Sequence, residues 1–239
     1  MTDTLNKENI EGLLLIDKPR GCTSFSLIPY LRKRLSVKKI GHAGTLDPFA
    51  TGVMVLLVGR RYTRLSNQFL ECDKEYLATI YLGKSTDTYD CDGIVTAESP
   101  YIPSAAEVAQ VINFFQGTIE QVPPMYSAKK QQGKKLYQWA RQGIERPRPA
   151  ALVNVETNLI SYSYPYIVLR VNCSKGTYIR SIAHECGLKL NCGAYLVELQ
   201  RTRSGGFHLD ECLGMDDVRS PSFNLIDRLI ALPMPADRP

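Results

Sequence analysis

The sequence predicts an α+β fold for this chain of 239 residues. Helical and strand patterns are mixed along the chain without the strict alternation of a doubly wound parallel sheet. The segment from Glu75 to Leu82 alternates between two faces and therefore predicts a strand. Ser104 and Glu107 form a capping box, which predicts that a helix begins there. Hydrophobic residues make up 44% of the sequence, which is enough to bury a sizeable core.

The first half of the chain predicts short strands and amphipathic helices. Apolar runs bounded by turn residues predict the strands, and helical periodicity beside a capping residue predicts the helices. Pro29 falls inside the first helix, which Thr23 or Ser24 would cap, and should bend or delay it. The predicted order is a strand at 12–16, a helix through Leu35, a strand at 53–58, an arginine-rich helix at 60–69, the strand at 75–82 and a helix at 104–115.

The second half opens with a proline-flanked basic segment at 123–150. We expect this segment to be an insertion within one domain rather than a domain of its own. The elements predicted within and after it are a short helix near 136–141, strands near 152–161 and 166–173, a helix after Gly176, a strand at 194–203 and a last helix near 216–231.

The sequence excludes several classes of protein. The longest apolar run, from Val53 to Val58, is far too short to span a bilayer as a helix. The first residues lack both the basic region and the apolar core of a signal peptide. Seven cysteines, none in a C-x-x-C pair, suggest reduced thiols. A cytoplasmic protein is therefore expected, rather than a secreted, membrane-spanning, collagen-like or disordered one.

Charge is distributed unevenly, although the net charge is only +5. Residues 18–64 sum to +9 and residues 123–150 to +6, whereas residues 65–122 sum to −7. Cations held together against their own repulsion gain most beside phosphates, so a polyanion partner is one interpretation. The other is a pair of solvated faces, which is the commoner origin of charge runs. Composition alone leaves both open.

No metal or cofactor is expected. The chain has three histidines, and none is paired with a cysteine at a spacing typical of a strong metal site. Residues 88–93 resemble a calcium loop, but Thr88 stands at the first ligand position and Ser99 where a bidentate glutamate is needed. A polar turn is the better interpretation. Neither a Walker loop nor a G-x-G-x-x-G motif occurs, so a nucleotide cofactor has no support.

The densest candidate motif is Gly41-His-Ala-Gly-Thr-Leu-Asp47-Pro48. A residue that precedes proline is pushed away from the helical region, so the backbone of Asp47 is restricted. The carboxylate follows a long stretch that holds only cationic charge, which favours its ionised form. An ionised, rigidly presented aspartate can act as a nucleophile or a base. Taken alone, an ordinary Asp-Pro turn is the commoner interpretation.

Arg180 is the second candidate. It falls in the first turn of the helix after Gly176, where the helix dipole disfavours a cation by a few tenths of a kcal/mol. An anion facing Arg180 would explain this placement, and Asp47 is a candidate, although a solvated arginine is the simpler alternative. Four further residues, each more often a packing or turn residue when considered singly, are Lys18, His42, Tyr76 and Leu199.

Taken together, these segments resemble the bacterial tRNA pseudouridine-55 synthase family. The loop around Asp47 is highly specific to that family, and the similarity covers about residues 10–205 in the family's order. The matching segments are residues 15–24, 39–53, 74–76, 83–90, 123–128 and 176–180.

The resemblance implies a pseudouridine synthase fold, with a bent, mostly antiparallel mixed sheet flanked by helices. It implies one catalytic domain over residues 10–239, with 123–150 as a basic thumb-like insertion and 206–239 as a helical extension. The implied reaction isomerises uridine 55 in the T loop of tRNA to pseudouridine without a cofactor. Because the reacting atoms are hidden in a folded loop, the nucleotide must be flipped out, at a cost of a few kcal/mol.

The resemblance also implies residue roles. Asp47 matches the essential carboxylate, Arg180 the arginine that pairs with it, and Tyr76 the aromatic that stacks on the flipped base. The implied substrate contacts are His42, which enters the space left by the flipped nucleotide, Tyr178 and Leu199 in the pocket, Lys18 in the supporting floor, and Lys129 and Lys130 in the thumb-like insertion.

Some family features are not expected. Residues 206–239 are too few for the C-terminal PUA domain that many bacterial members carry, so tRNA contacts outside the T stem-loop are in doubt. The expected partner is tRNA, with no guide RNA and no membrane, and a monomer is expected. Two alternatives remain, an RNA-folding chaperone with incidental catalysis and a small-molecule lyase that uses Asp47 with Arg180.

Overall fold

The computed structural model describes residues 10–127 and 129–232, which group into two compact units. The first unit comprises Met1–Cys72 and Arg201–Pro239, and the second comprises Asp73–Gln200. The α+β class is confirmed, because strands and helices alternate irregularly in both units. None of the helices in the described part of the chain is long and apolar enough to cross a membrane.

The first unit is built around strand β3 (Thr51–Val58), which pairs with two other strands of the unit. Its N-terminal elements are β1 (Gly12–Lys18), α1 (Leu27–Leu35), β2 (Ile40–Ala43), β3 (Thr51–Val58), α2 (Arg60–Arg64) and α3 (Ser66–Glu71). Strand β3 pairs antiparallel with β1, placing Leu15 opposite Val55, and with β2, placing His42 opposite Leu56. All of β3 after Thr51 is buried, so the strand forms the core of this unit.

The second unit contains an antiparallel sheet with helices packed against it. Its elements are β4 (Lys74–Leu82), β5 (Lys84–Thr86), β6 (Val95–Glu98), α4 (Ala105–Ile112), β7 (Gly117–Gln121), β8 (Lys130–Gln131), β9 (Lys134–Lys135), α5 (Leu136–Ala140), β10 (Ala151–Ser163), β11 (Tyr166–Cys173), α6 (Ile179–Lys189) and most of β12 (Ala194–Ser204).

The strand order in that sheet is β12-β4-β11-β10-β7, and α4 packs on β10 while α6 packs on β4. The alternation predicted for Glu75 to Leu82 is confirmed in β4, where Tyr76, Ala78 and Ile80 point into the core. Single parallel bridges such as Asp90 with Leu196 make the pairing mixed, although the ladders β4–β11, β11–β10 and β10–β7 are antiparallel.

The capping box at Ser104 is confirmed. The Ser104 hydroxyl accepts from the Glu107 amide at 3.3 Å, and the Glu107 carboxylate accepts from the Ser104 amide at 2.7 Å. Hydrogen bonds from Ser104 and Tyr101 lower the pKa of Glu107 to about 2. The helix α4 ends at Ile112, slightly earlier than predicted.

Three helix predictions need correction. Thr23 and Ser24 do not cap the first helix, which begins at Leu27 and holds Pro29 in its first turn, where a missing N–H removes no helical bond. The predicted helix at 60–69 is two short helices, α2 and α3, that meet at Leu65.

The predicted last helix at 216–231 is also wrong. The chain of the first unit resumes after β12 with β13 (Phe207–His208), a 3-10 turn at Leu209–Glu211, α7 (Met215–Arg219) and a second 3-10 turn at Ile226–Arg228. Helix α7 stops at Arg219 because Pro221 disfavours helical geometry at Ser220, which is extended with ψ 121°.

Candidate active site

The loop that carries Asp47 connects β2 to β3 in the first unit and is anchored on both sides of that residue. The Ser24 hydroxyl accepts from the Leu46 amide at 2.9 Å and donates to the Leu46 carbonyl at 3.1 Å. On the other side, the Pro48 carbonyl accepts from the Gly21 amide at 2.8 Å. The half-buried carboxylate of Asp47 is therefore presented by a backbone that has little freedom to move.

Lys18 supports the same loop from below. Its side chain is completely buried, and its ammonium donates to the carbonyls of Pro19 at 3.0 Å, Cys22 at 2.8 Å and Pro48 at 3.3 Å. Burial lowers the pKa of Lys18, while the nearby Cys22 and Asp47 oppose that shift. Three carbonyl acceptors match the three ammonium donors, so this lysine is built into the floor of the loop.

Arg201 hydrogen-bonds to both ends of the Asp47 loop, and it was not among the candidate residues predicted from the sequence. The side chain is 1% exposed, and its Nε donates to the Val53 carbonyl at 2.7 Å. Its Nη2 lies 3.4 Å from the Gly44 carbonyl. The signal in the sequence was the glycine at each end of the loop, because Gly44 and Gly52 both have positive φ and lie against this arginine.

The close approach of Gly52 to Arg201 gives a test of this architecture. A Cβ on Gly52, which has φ +105°, would lie 2.2 Å from the Arg201 carbonyl oxygen. We expect Gly52→Ala to lower the free energy of unfolding by more than about 2 kcal/mol, measured by urea denaturation. Gly206→Ala is the matched control, because a Cβ there meets nothing within 4 Å. Equal stability of the two variants would contradict the packing described here.

Arg180 lies in the first turn of α6, and within the second unit it faces an anion. Its Nη1 lies 3.2 Å from Oδ2 of Asp90, and both side chains are less than one-tenth exposed. Nη1 also donates to the Thr88 carbonyl at 3.0 Å, and Nη2 donates to the Tyr126 carbonyl at 2.7 Å. The expected anion beside Arg180 is thus present as Asp90. The pairing of Arg180 with Asp47, which belongs to the first unit, stays a prediction.

Asp90 is the second residue of this site that was not predicted from the sequence. The polar turn predicted at 88–93 is confirmed, since Oδ1 of Asp90 accepts from the Thr88 hydroxyl at 2.6 Å and the Asp92 amide at 3.0 Å. That leaves Oδ2 for Arg180. Because one carboxylate serves both the turn and the arginine, the turn fixes the position of the guanidinium.

A ring stack holds the same turn against α6. Tyr89 has a left-handed backbone with φ 65°, and its ring stacks on His184 with centroids 3.8 Å apart and an interplanar angle of 9°. Burial lowers the pKa of His184, which favours the neutral ring in this stack. Three consecutive residues, Thr88 to Asp90, therefore contact α6.

The other predicted site residues divide between the two units. Tyr76 in β4, at 8% exposure, and Leu199 in β12, at 7%, are buried in the second unit. Tyr178 immediately precedes α6, where the Gln121 side chain binds both its amide, at 2.7 Å, and its carbonyl, at 3.1 Å. His42 lies in β2 of the first unit, with Lys18 and Asp47. The roles assigned to these residues stay predictions.

The basic segment 123–150 contains a small hairpin and a short helix. Strands β8 and β9 pair through a turn in which Gln132 and Gly133 both have positive φ. The ring of Trp139 in α5 has the Lys134 ammonium 4.7 Å and the Arg146 guanidinium 4.3 Å from its centroid. The exposed Lys129 lies just before the hairpin. Cations in this segment are thus held around aromatic rings.

Comparisons with known proteins give a consistent result. The model of the TruB family pseudouridylate synthase N-terminal domain matches residues 32–179, and that of the tRNA pseudouridylate synthase B C-terminal domain matches residues 180–231. The chain is 60% identical over 222 residues to tRNA pseudouridine synthase B of Protochlamydia amoebophila, covering 93% of this chain and 84% of the relative. The Chlamydia muridarum protein of the same name is 57% identical over 225 residues, covering 94% and 93%.

Solved structures agree on the fold. A crystal structure of a Cbf5-Nop10-Gar1 complex contains a chain that matches 86% of this chain with a TM-score of 0.68 at 30% identity. A structure of an H/ACA RNP bound to a substrate RNA containing 2′-deoxyuridine matches with a TM-score of 0.63 at 28% identity. This chain spans about half the length of those two chains, 53% and 51%.

Proposed function

The chain belongs to the TruB family of pseudouridylate synthases and pseudouridylates tRNA, and from that premise we propose that its target is uridine 55 in the T loop, with Asp47 as the essential carboxylate. The reaction breaks the N1–C1′ glycosidic bond, turns the uracil while it is held, and joins C5 to C1′. C5 loses a proton and N1 gains one, so substrate and product are isomers.

The observation that carries this proposal is the fixed presentation of Asp47. Both neighbours of the residue are anchored by hydrogen bonds, and Lys18 and Arg201 place two buried cations around the loop. An ionised carboxylate is the form that can attack C1′ or remove a proton. A rigid loop removes the cost of ordering the carboxylate when substrate binds.

The second unit would hold the substrate. Tyr76 offers an aromatic face that can stack on a flipped base, and Tyr178 and Leu199 add pocket walls of the type that such a base requires. Arg180 is held by Asp90 and two carbonyls, so its guanidinium is fixed in orientation. In this proposal Arg180 pairs with the essential carboxylate.

The position of modification can be tested directly. An unmodified tRNA transcript is expected to gain one pseudouridine, at position 55, and the same transcript with cytidine at that position is expected to gain none. The measurement is primer-extension mapping of pseudouridine after chemical derivatisation. Product at another uridine, or undiminished product from the cytidine-55 transcript, would show that the target assignment is wrong while leaving the enzyme class intact.

The basic segment 123–150 is proposed to close on the T loop as a thumb. We expect Lys129→Ala combined with Lys130→Ala to weaken tRNA binding and to reduce its salt dependence by about one to two in the slope of log K against log salt. Chemistry at saturating tRNA should survive. Filter-binding titrations at several salt concentrations measure both effects. Unchanged binding would contradict the thumb and favour the alternative, that this segment is a solvated face.

A further inference from the structure

The first basic block of the sequence forms a cluster around one edge strand of the first unit. Helices α1 and α2 both pack against β2. Their exposed cations, together with those of the turn that precedes β2, form what we call the β2 cationic surface. It consists of Arg32 and Lys33 from α1, Lys38 and Lys39 from the turn, and Arg60 and Arg64 from α2. The third exposed cation of α2, Arg61, is left out because it lies beside Glu11.

Specific contacts bring these cations to the same place. The Arg32 guanidinium reaches the Ile40 carbonyl at 3.5 Å, so α1 contributes its charge at the start of β2. The Lys39 carbonyl accepts from the Gly59 amide at 2.8 Å, which places Lys39 next to Arg60. The α2 helix lies over the strand, since a Cβ on Gly41 would be 3.5 Å from the Thr63 methyl group.

The positive charge of this surface is not compensated. Within the described part of the chain, none of its six cations forms an ion pair with a carboxylate. The only acidic side chain recorded at α2 there, Glu11, is 4.0 Å from Arg61 and accepts from the Arg61 amide. Arg34 differs, because its guanidinium is used internally on the carbonyls of Ser220 and Phe223. Six exposed cations that repel one another favour a ligand that carries several negative charges.

The location of the surface indicates which polyanion it fits. The cations cluster at the start of β2, and the strand leads from there to Ala43, four residues before Asp47, so one short strand of about 10 Å separates the surface from the loop that carries the essential carboxylate. Exposed lysine and arginine side chains can contact the phosphates of an RNA backbone, and such contacts fix the position of the RNA without reading its sequence. An RNA substrate whose nucleotide reaches Asp47 must run its backbone past this loop.

We propose that the β2 cationic surface is a phosphate-binding surface for the backbone of the substrate RNA, separate from the basic segment 123–150. The inference rests on the proposed function, because it takes tRNA as the ligand. It adds a second place at which the RNA backbone is held, on the unit that carries Asp47.

The test compares two variants that lose the same charge. Lys38→Gln with Arg60→Gln removes one lysine and one arginine from the surface. Arg170→Gln with Lys189→Gln removes the same two residue types from exposed positions of the second unit. Binding of an unmodified tRNA transcript is titrated between about 0.05 and 0.3 M salt. Thermal unfolding of each variant verifies that it is folded, and the single variant Lys38→Gln gives a milder version of the same test.

The surface variant is expected to bind about tenfold more weakly near 0.1 M salt, with a salt slope reduced by about one to two, while the control variant keeps the wild-type slope. Equal slopes for the surface variant and the wild type would overturn the inference. So would an equal loss in both variants, because net charge alone would then explain the effect. Failure of the proposed function is distinguishable, since wild-type protein would then form no pseudouridine at position 55 whatever the slopes.

Discussion

Asp47→Asn is expected to lower the single-turnover rate of pseudouridine formation by at least about 10³-fold, because an amide can neither attack C1′ nor take up a proton. The variant should still fold. Asparagine has the same shape, and hydrogen bonds to the backbone of Leu46 and Pro48 anchor the loop on both sides of the substitution. The measurement is product per enzyme at saturating tRNA, with binding followed in parallel.

A matched control separates catalysis from loss of charge. Asp217→Asn removes one exposed negative charge from α7 in the same unit and is expected to leave the rate at the wild-type value. If Asp47→Asn turned over like the wild type, another group would have to be the essential carboxylate. Retained binding without product would also separate the enzyme from an RNA-folding chaperone, in which Asp47 would be dispensable.

Arg180→Lys is expected to be nearly as damaging as Arg180→Met. In the structure two nitrogens of one guanidinium serve three acceptors, namely Asp90, the Thr88 carbonyl and the Tyr126 carbonyl. A lysine ammonium is a single point on a flexible stem and cannot reproduce that fork. Single-turnover rates of the two variants at saturating tRNA measure the effect, and a near-wild-type rate for Arg180→Lys would show that charge alone suffices.

Asp90, the ion-pair partner of Arg180, can be tested by its effect on stability. Asp90→Asn leaves the buried Arg180 guanidinium without its carboxylate, so we expect a loss of about 3 kcal/mol in the free energy of unfolding. The matched control is Glu98→Gln, which breaks the exposed pair with Lys84 at 2.9 Å and should have no measurable effect on stability. Equal, small effects of both variants would mean that the Asp90–Arg180 contact is not a stabilising pair.

Much of the fold was predictable because its signals are local. The alternation in β4 and the capping box of α4 involve residues a few positions apart, so neighbouring side chains alone determine them. The prediction of a last helix at 216–231 was wrong because its apolar periodicity continued across Pro221. The restriction that this proline places on the backbone of Ser220 ends the helix there. Strands β2 and β7 were missed because four or five residues carry too little pattern to distinguish them from loops.

The sequence by itself determined the chemical groups of the site. The Asp-Pro pair between glycines singled out Asp47, and the placement of Arg180 against a helix dipole predicted an anion beside it. Only the tertiary structure decided which anion that is and what holds the Asp47 loop. Asp90 lies far from Arg180 in the sequence, and Arg201 lies far from Gly44 and Val53. Such contacts exist only after distant segments have packed, and no local pattern records which buried carbonyls or carboxylates will then be left to accept from a guanidinium.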